Sequence, residues 1–256
     1  MTDRKIGSLS ASFFASLALF LAIPQAYAGE NAPHWSYGGE DGPDHWGELS
    51  AAYRMCSEGR NQSPIDIKVD LKAGLPELVF DYHSTPLREI NNGHSIQQNV
   101  EPGSFLIVPD RGLHHELKQF HFHSPSEHTI AGQSYAMEMH FVHVGEDGMV
   151  VVVGILIEEG EEHPVVNKLW AFMPENPGDT SEQPIGIEET NLLPPTREYY
   201  AYSGSLTTPP CSEGVAWIVL KTPVELSAEQ IERFKERVGP ITNRPVQPHN
   251  SRLILE

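Results

Sequence analysis

The chain has 256 residues, a formal net charge of −18 at neutral pH, 13 histidines and two cysteines. So acidic a surface repels phosphate backbones and anionic headgroups, which argues against nucleic-acid and membrane partners and reads as solubility. It cannot steer a neutral substrate, and it holds an anionic one off except beside a locally positive site.

In chain order, residues 1–28 read as a secretory signal peptide. Arg4 and Lys5 precede an apolar run over residues 9–23, and Ala26-Tyr27-Ala28 is a small-residue cleavage site. A membrane anchor is the competing reading, but serines interrupt the run and Pro24 stops it short of the ~20 residues that span a bilayer. Residues 29–256 then form the mature chain, sized for one domain with a large core, at a formal charge of −19. No internal repeat or low-complexity linker divides it. Asn92-Gly93 tolerates positive φ and marks a hairpin. Residues 119–123 and 138–140 read as neighbouring strands. Residues 150–153 and 155–157 make one apolar run, suited to a strand buried on both faces in mid-sheet. A helix is expected over residues 165–172, after Pro164, presenting Leu169 and Phe172. Pro194-Pro195 and Pro209-Pro210 mark extended loops. Ser227 with Gln230 makes a capping box for a second helix, with Ile231, Phe234 and Val238 on one stripe and Gly239-Pro240 as its stop. Composition and periodicity thus reach a mainly β single domain with short flanking helices, of the α+β class.

Alternation along a strand puts His121 and His123 on one face, and His140 on the neighbouring strand can join them. Two ligands at i and i+2 and a third across the pair leave the fourth tetrahedral position of a Zn2+ ion for water. Gln119 shares the face of His121, and Glu138 that of His140, so each can accept a hydrogen bond from its neighbour's second ring nitrogen. Aliphatic residues would serve a merely packed histidine. Three uncharged ligands leave the metal its full charge, which favours hydroxide over water on it. An exported chain meets an oxidising compartment, where a pair such as Cys56 and Cys211 usually becomes a disulfide; closing so long a loop stabilises by ~5 kcal/mol on the entropic model. A zinc role is the alternative, although neither cysteine is near the histidines in sequence.

Ordered blocks carry a family pattern: HWSYGGEDGPDHWG (residues 34–47), NQSPIDI (61–67), NNGHS (91–95), QFHFHSPSEHT (119–129), EMHFVHV (138–144), SGSLTTPPCSEGVAW (203–217) and NRPVQP (243–248). The chain resembles the α-class carbonic anhydrases of the exported bacterial type. The resemblance implies a large twisted, mostly antiparallel sheet of about ten strands, with zinc on His121, His123 and His140 at the floor of a conical cleft. It implies reversible hydration of carbon dioxide to bicarbonate and a proton by zinc-hydroxide attack; this family is the reference case for a zinc-bound water lowered to a pKa of ~7. Thr207 would accept a bond from the hydroxide and donate its proton to Glu127, where an ordinary strand-end threonine and a solvated glutamate are the plainer readings. His94 matches the proton shuttle, a mobile imidazole titrating near its ordinary ~6.5. Val142, Val152, Leu206, Val215 and Trp217 match the apolar wall that holds carbon dioxide; Val142 also shares the face of His140. Thr208 and Tyr37 resemble cleft residues that bond substrate or water, and Asn92 and Gln97 complete the water network, Gln97 standing where an asparagine is frequent. Ser124 stands where many animal members carry tryptophan. His128 and His143 read as structural. The family pairs the counterparts of Cys56 and Cys211 in a disulfide that ties the N-terminal segment to the Thr207 loop. Sulfonamide or anion inhibitors at zinc, a side esterase activity, a homodimer and a periplasmic location, with full secretion as the alternative, complete what the resemblance implies.

Two rivals stand beside it. A cupin would use His121, His123 and Glu127 as ligands, but the glycine its motif requires is missing, since His115 stands six residues before His121. A zinc store or a silent binding module would not need Thr207, Glu127 and His94 together.

Overall fold

The computed structural model describes residues 33–256; residues 1–28, expected to be a signal peptide, lie outside the described residues. Twelve strands form: β1 (Asp66–Ile67), β2 (Val79–Asp81), β3 (Thr85–Asn91), β4 (Ile96–Asn99), β5 (Phe105–Val108), β6 (Leu113–His123), β7 (Thr129–Ile130), β8 (Met137–Gly145), β9 (Val150–Glu159), β10 (Thr180–Ile187), β11 (Tyr199–Ser205) and β12 (Glu213–Leu226). Ten make one sheet, in the order β10-β3-β4-β6-β8-β9-β12-β11, with β5 on β6 and β2 on β5. Every pairing in it is antiparallel except β9 with β12. β1 and β7 form a separate parallel pair.

The apolar run lies in β9, inside the sheet between β8 and β12, and is buried without a break from Val151 to Ile157. Alternation divides it. Val153, Ile155 and Ile157 enter the larger core with Phe120, Phe122 and Phe141; Val152 and Leu156 enter a second cluster with Val215, Trp217 and Val219 on the opposite face. The sheet is therefore a partition with a core on one side and the walls of a cleft on the other.

Short helices flank it: α1 (Trp46–Leu49), α2 (Met55–Glu58), α3 (Pro164–Ala171) and α4 (Ala228–Val238). α4 has the capping box its sequence announces, with Ser227 Oγ accepting the Gln230 N–H at 3.3 Å and Gln230 Oε1 accepting the Ser227 N–H at 3.1 Å. Ile231 and Phe234 are buried beneath it. α3 starts on Pro164 and buries Leu169, but it ends at Ala171; Phe172 falls on the C-cap, 36% exposed, and Val166 and Trp170 do the packing instead. Trp170 Nε1 donates to the Gln230 carbonyl at 2.9 Å, tying α3 to α4. Pro209-Pro210 lies in a turn rather than an extended loop. Cys56 and Cys211 form a disulfide, joining α2 to the loop between β11 and β12.

One buried group opposes the fold. Glu89 points inward from β3 at 2% exposure, neither carboxyl oxygen has a hydrogen-bond partner, and its cross-strand neighbours are the uncharged Gln98 and Ser181. Burial raises it from an ordinary 4.5 to about 8. Between those values the folded chain keeps a proton the unfolded chain has lost, so this group's contribution to stability falls as pH rises through that window. The full penalty above pH 8 is on the order of 5 kcal/mol at most. Glu89→Gln is therefore expected to raise the unfolding midpoint strongly at pH 8.5 and little at pH 4.5. Denaturant titrations at the two pH values check this, and parallel pH curves for parent and variant would refute it.

Candidate metal centre

β6 and β8 pair in a register that sets His121 opposite His140 and His123 opposite Glu138. Because Phe120, Phe122, Met139 and Phe141 turn into the larger core, the alternating His121, His123 and His140 must turn to the other face. Each offers one ring nitrogen, and the three lie within 4.8 Å of one another. The opposite nitrogen of each ring is held by an oxygen that can only accept. His121 Nδ1 donates to Gln119 Oε1 at 2.8 Å, His123 Nδ1 to the Thr242 carbonyl at 2.6 Å, and His140 Nε2 to Glu138 Oε1 at 2.8 Å. These bonds fix the tautomers, so Nε2 of His121 and His123 and Nδ1 of His140 face inward with lone pairs. His123 Nε2 is buried without any hydrogen-bond partner. A buried lone pair among two others fits a divalent cation. Burial pushes His121 and His123 below their ordinary pKa, with neighbouring imidazoles adding to the shift, which keeps those lone pairs available. Burial works the same way on His140, but the charge and hydrogen bond of Glu138 outweigh it and hold that ring above its ordinary value.

Glu138 is enclosed by donors. Oε1 accepts from His128 Nδ1 at 2.7 Å as well as from His140, and Oε2 accepts the backbone N–H groups of Glu127 and His128 at 2.9 and 2.8 Å. Burial alone would raise this carboxyl; the charges and bonds of His128 and His140 hold it well below the usual range. Gly154 makes room, since a Cβ there would come within 2.9 Å of Glu138 Oε1. Tyr202 Oη lies 2.6 Å from His128 Nε2 and 2.8 Å from Ser63 Oγ, extending the chain away from the cleft. His143, by contrast, faces the larger core with its Nε2 on Tyr82 Oη at 2.7 Å.

Glu127 is buried, and its Oε1 accepts the Arg244 backbone N–H at 2.8 Å. The bond from Thr207 to Glu127 that the family resemblance implies is not formed: Oε2 has no partner and lies 3.7 Å from His123 Nε2 and 3.8 Å from His140 Nδ1. Tyr37 Oη is a second buried oxygen without a partner, and burial and the Glu127 charge raise its phenol well above the ordinary value.

The five residues expected to form the apolar wall lie in one cluster, with Val152, Val215 and Trp217 buried and Val142 and Leu206 partly exposed against them. Trp217 Nε1 donates to the Ser205 carbonyl at 2.9 Å and its ring lies 4.9 Å from that of His140, so the wall adjoins the imidazoles. Thr207 is buried in the following loop, and the Thr208 carbonyl accepts the Cys211 N–H at 2.9 Å.

Two expectations change at the cleft mouth. Asn92 is exposed, and its Oδ1 accepts the N–H groups of His94 and Ser95 at 2.9 and 2.8 Å, so that oxygen serves the turn rather than cleft water. His94 is half-buried and stacked on Trp35, with ring centroids 3.6 Å apart and planes at 9°. That burial, with His34 nearby, lowers it from 6.5 to about 4 rather than leaving it near the ordinary value. Gln97 sits beside His121 in register and donates to Asn99 Oδ1 at 2.7 Å. Sequence reasoning missed Thr242 and Arg244. The only signal was the NRPVQP block that begins one residue after Thr242.

A large, mostly antiparallel sheet carries three oriented imidazoles beside an apolar wall, a cluster able to hold a metal ion. A family model described as eukaryotic-type carbonic anhydrase matches residues 41–256. A carbonic anhydrase of Klebsiella pneumoniae is 45% identical over 239 residues, 93% of this chain and 97% of that protein. One of Neisseria gonorrhoeae is 43% identical over 244 residues, covering 94% and 95%. The solved α-carbonic anhydrase of Thermovibrio ammonificans, in complex with the inhibitor sulfanilamide, superposes with a TM-score of 0.84 at 48% identity, covering 88% of this chain and 99% of that one. The chain belongs to the eukaryotic-type, or α, carbonic anhydrase family of enzymes.

Trp35→Ala is expected to free the His94 ring and return its pKa from about 4 toward 6.5. NMR titration of the imidazole C–H resonances checks this; an unmoved pKa would show that the stacking is not its cause.

Proposed function

We propose that the chain catalyses reversible hydration of carbon dioxide to bicarbonate and a proton, with zinc held by His121, His123 and His140. The observation that carries this reading is the set of three inward lone pairs, each fixed by an acceptor behind its ring. Zinc, when bound there, supplies the Lewis acidity that makes hydroxide available at neutral pH. The rest falls to the chain. Glu127 Oε2, which has no other partner, can accept a hydrogen bond from the Thr207 hydroxyl. The Thr207 hydroxyl is then left only to accept from the attacking oxygen, which aims that oxygen's remaining lone pair at the substrate carbon. Val142, Val152, Leu206, Val215 and Trp217 hold a molecule that has no charge and little hydrogen-bonding capacity beside that oxygen. Tyr37 and Thr208 bond water or substrate at the floor.

His94 exports the proton to buffer. At a pKa of about 4 the stacked ring is a poor acceptor from a donor near 7, so export requires it to leave Trp35 and recover an ordinary pKa. The same oxygen nucleophile accounts for a side esterase activity. The sulfanilamide complex of the Thermovibrio relative supports sulfonamide inhibition here as well. A signal peptide cleaved after Ala28 and a periplasmic location accord with the disulfide; N-terminal sequencing of exported material tests the cleavage, and a start at Met1 would refute it.

Stopped-flow hydration on the zinc-loaded protein is expected to be fast and abolished by a chelator or a sulfonamide; no rate above buffer from folded, zinc-bound protein would favour a storage role. Thr207→Ala should keep one zinc per chain and lose on the order of 10²-fold in rate. Glu127→Ala should also keep its zinc, whereas a ligand role for this carboxylate requires the metal to be lost. His94→Ala should slow turnover in weak buffer and be rescued by small imidazole buffers, and absence of either effect would remove it from the proton path.

A further inference from the structure

Three sequence blocks, two of which carry no chemistry in the reading above, converge on one side chain. Arg244, from NRPVQP, is 1% exposed. Its Nη1 donates to Gln62 Oε1 at 2.8 Å and to the Ser63 carbonyl at 2.9 Å, both in NQSPIDI, and its Nη2 donates to the Cys56 carbonyl at 2.8 Å. The guanidinium carbon lies 5.7 Å from the ring centroid of Trp46, from the block at residues 34–47. The anchors are themselves fixed. Gln62 Nε2 donates to the Cys211 carbonyl at 3.0 Å, and the Ser63 N–H donates to Ser205 Oγ at 2.9 Å, whose own proton goes to the Leu206 carbonyl at 2.8 Å. The Thr207 loop and the disulfide-linked segment therefore share this guanidinium as a common anchor.

A buried cation answered mainly by carbonyl and amide oxygens is expensive, and an apolar side chain of similar volume would often serve stability as well or better. What an apolar residue would not supply is a planar fork with fixed directions. The backbone N–H of the same residue donates to Glu127 Oε1 at 2.8 Å. We infer that Arg244 is a positioning residue for Glu127: clamped at Cys56, Gln62 and Ser63, it holds its own N–H on Oε1 and leaves Oε2 as the one oxygen that can accept the Thr207 hydrogen bond. With Oε1 occupied, the carboxylate cannot turn end over end, and the Thr207 hydroxyl keeps a single direction for its proton. This rests on the role given to Glu127 above.

The test is a double-mutant cycle in strong buffer, with zinc content and unfolding midpoint measured for every variant. Arg244→Lys keeps the charge and loses the fork. It is expected to retain one zinc per chain and to lower kcat by up to about 10²-fold with little change in KM. In a Glu127→Ala background the same substitution should cost nothing further. Gln62→Met removes one acceptor and leaves the bonds to Ser63 and Cys56. It should show a smaller loss with the same dependence on Glu127, and it carries the test if Arg244→Lys does not fold. An equal loss in both backgrounds would make Arg244 merely structural, and an undiminished kcat in the parent background would also overturn the inference. A Glu127→Ala enzyme as fast as the parent would instead overturn the role of Glu127 itself, which keeps the two failures distinct.

Discussion

The cleft depends on one buried carboxylate taking four hydrogen bonds. An uncompensated charge at the position of Glu138 would not survive in ionised form, because burial alone pushes the carboxyl toward neutrality. Two imidazole N–H groups and two backbone N–H groups reverse that preference. Each donor has a structural consequence. The bond to His140 forces its lone pair onto Nδ1, and the bond to His128 leaves that ring's Nε2 to Tyr202. The two backbone bonds draw the segment after β6 over β8, which brings Glu127 to the imidazoles. Gly154 on the next strand is the condition for all of this, because any side chain there would press on Oε1.

The sheet converts this local constraint into a site. Its alternation sends aromatic residues to one side and histidines to the other, so the tight packing of Phe120, Phe122 and Phe141 is what keeps the imidazoles from turning. The same alternation on β9 and β12 presents Val152, Val215 and Trp217 on the cleft side. Polar floor and apolar wall come from one periodicity read on adjacent strands. The β3–β4 turn adds the mouth: Asn92 closes it through two N–H groups and so sets where His94 can lie.

How much of this was legible in the sequence follows from range. The histidine cluster was readable because His121, His123 and His140 sit at fixed offsets within strands, and Gln119 and Glu138 sit two residues from rings they touch. The capping box of α4 was readable for the same reason. Thr242 was not, because it acts through a carbonyl that every residue carries. The low pKa of His94 was hidden because it comes from burial, and the ring that stacks on His94 lies nearly sixty positions earlier in the chain. Phe172 shows the opposite limit. Helical periodicity continued past the point where the helix ends, and the residue it assigned to the core went to the surface. Glu89 was invisible because a glutamate beside Arg88 looks like an ordinary strand surface, whereas Arg88 faces outward and Glu89 shares the buried face of β3 with Leu87 and Asn91.

The acidic exterior and the uncharged ligand set act together in the proposed reaction. A formal charge of −18 leaves the approach of carbon dioxide unaffected and opposes that of bicarbonate. Such a field cannot alter the overall equilibrium, because what it withholds from the anion it returns by attracting the proton. Its effect is therefore on how the anion is captured and released rather than on where the equilibrium lies. Screening sets the range: beyond about 8 Å at physiological ionic strength, exposed carboxylates lose their hold, so only charges close to the imidazoles matter. Buried carboxylates are not screened in this way, and both of those beside the imidazoles have their oxygens committed to donors or to the proposed Thr207 hydrogen bond. A cation held by His121, His123 and His140 would meet three imidazoles, with the Glu138 carboxylate hydrogen-bonded behind the His140 ring rather than taking a ligand's place.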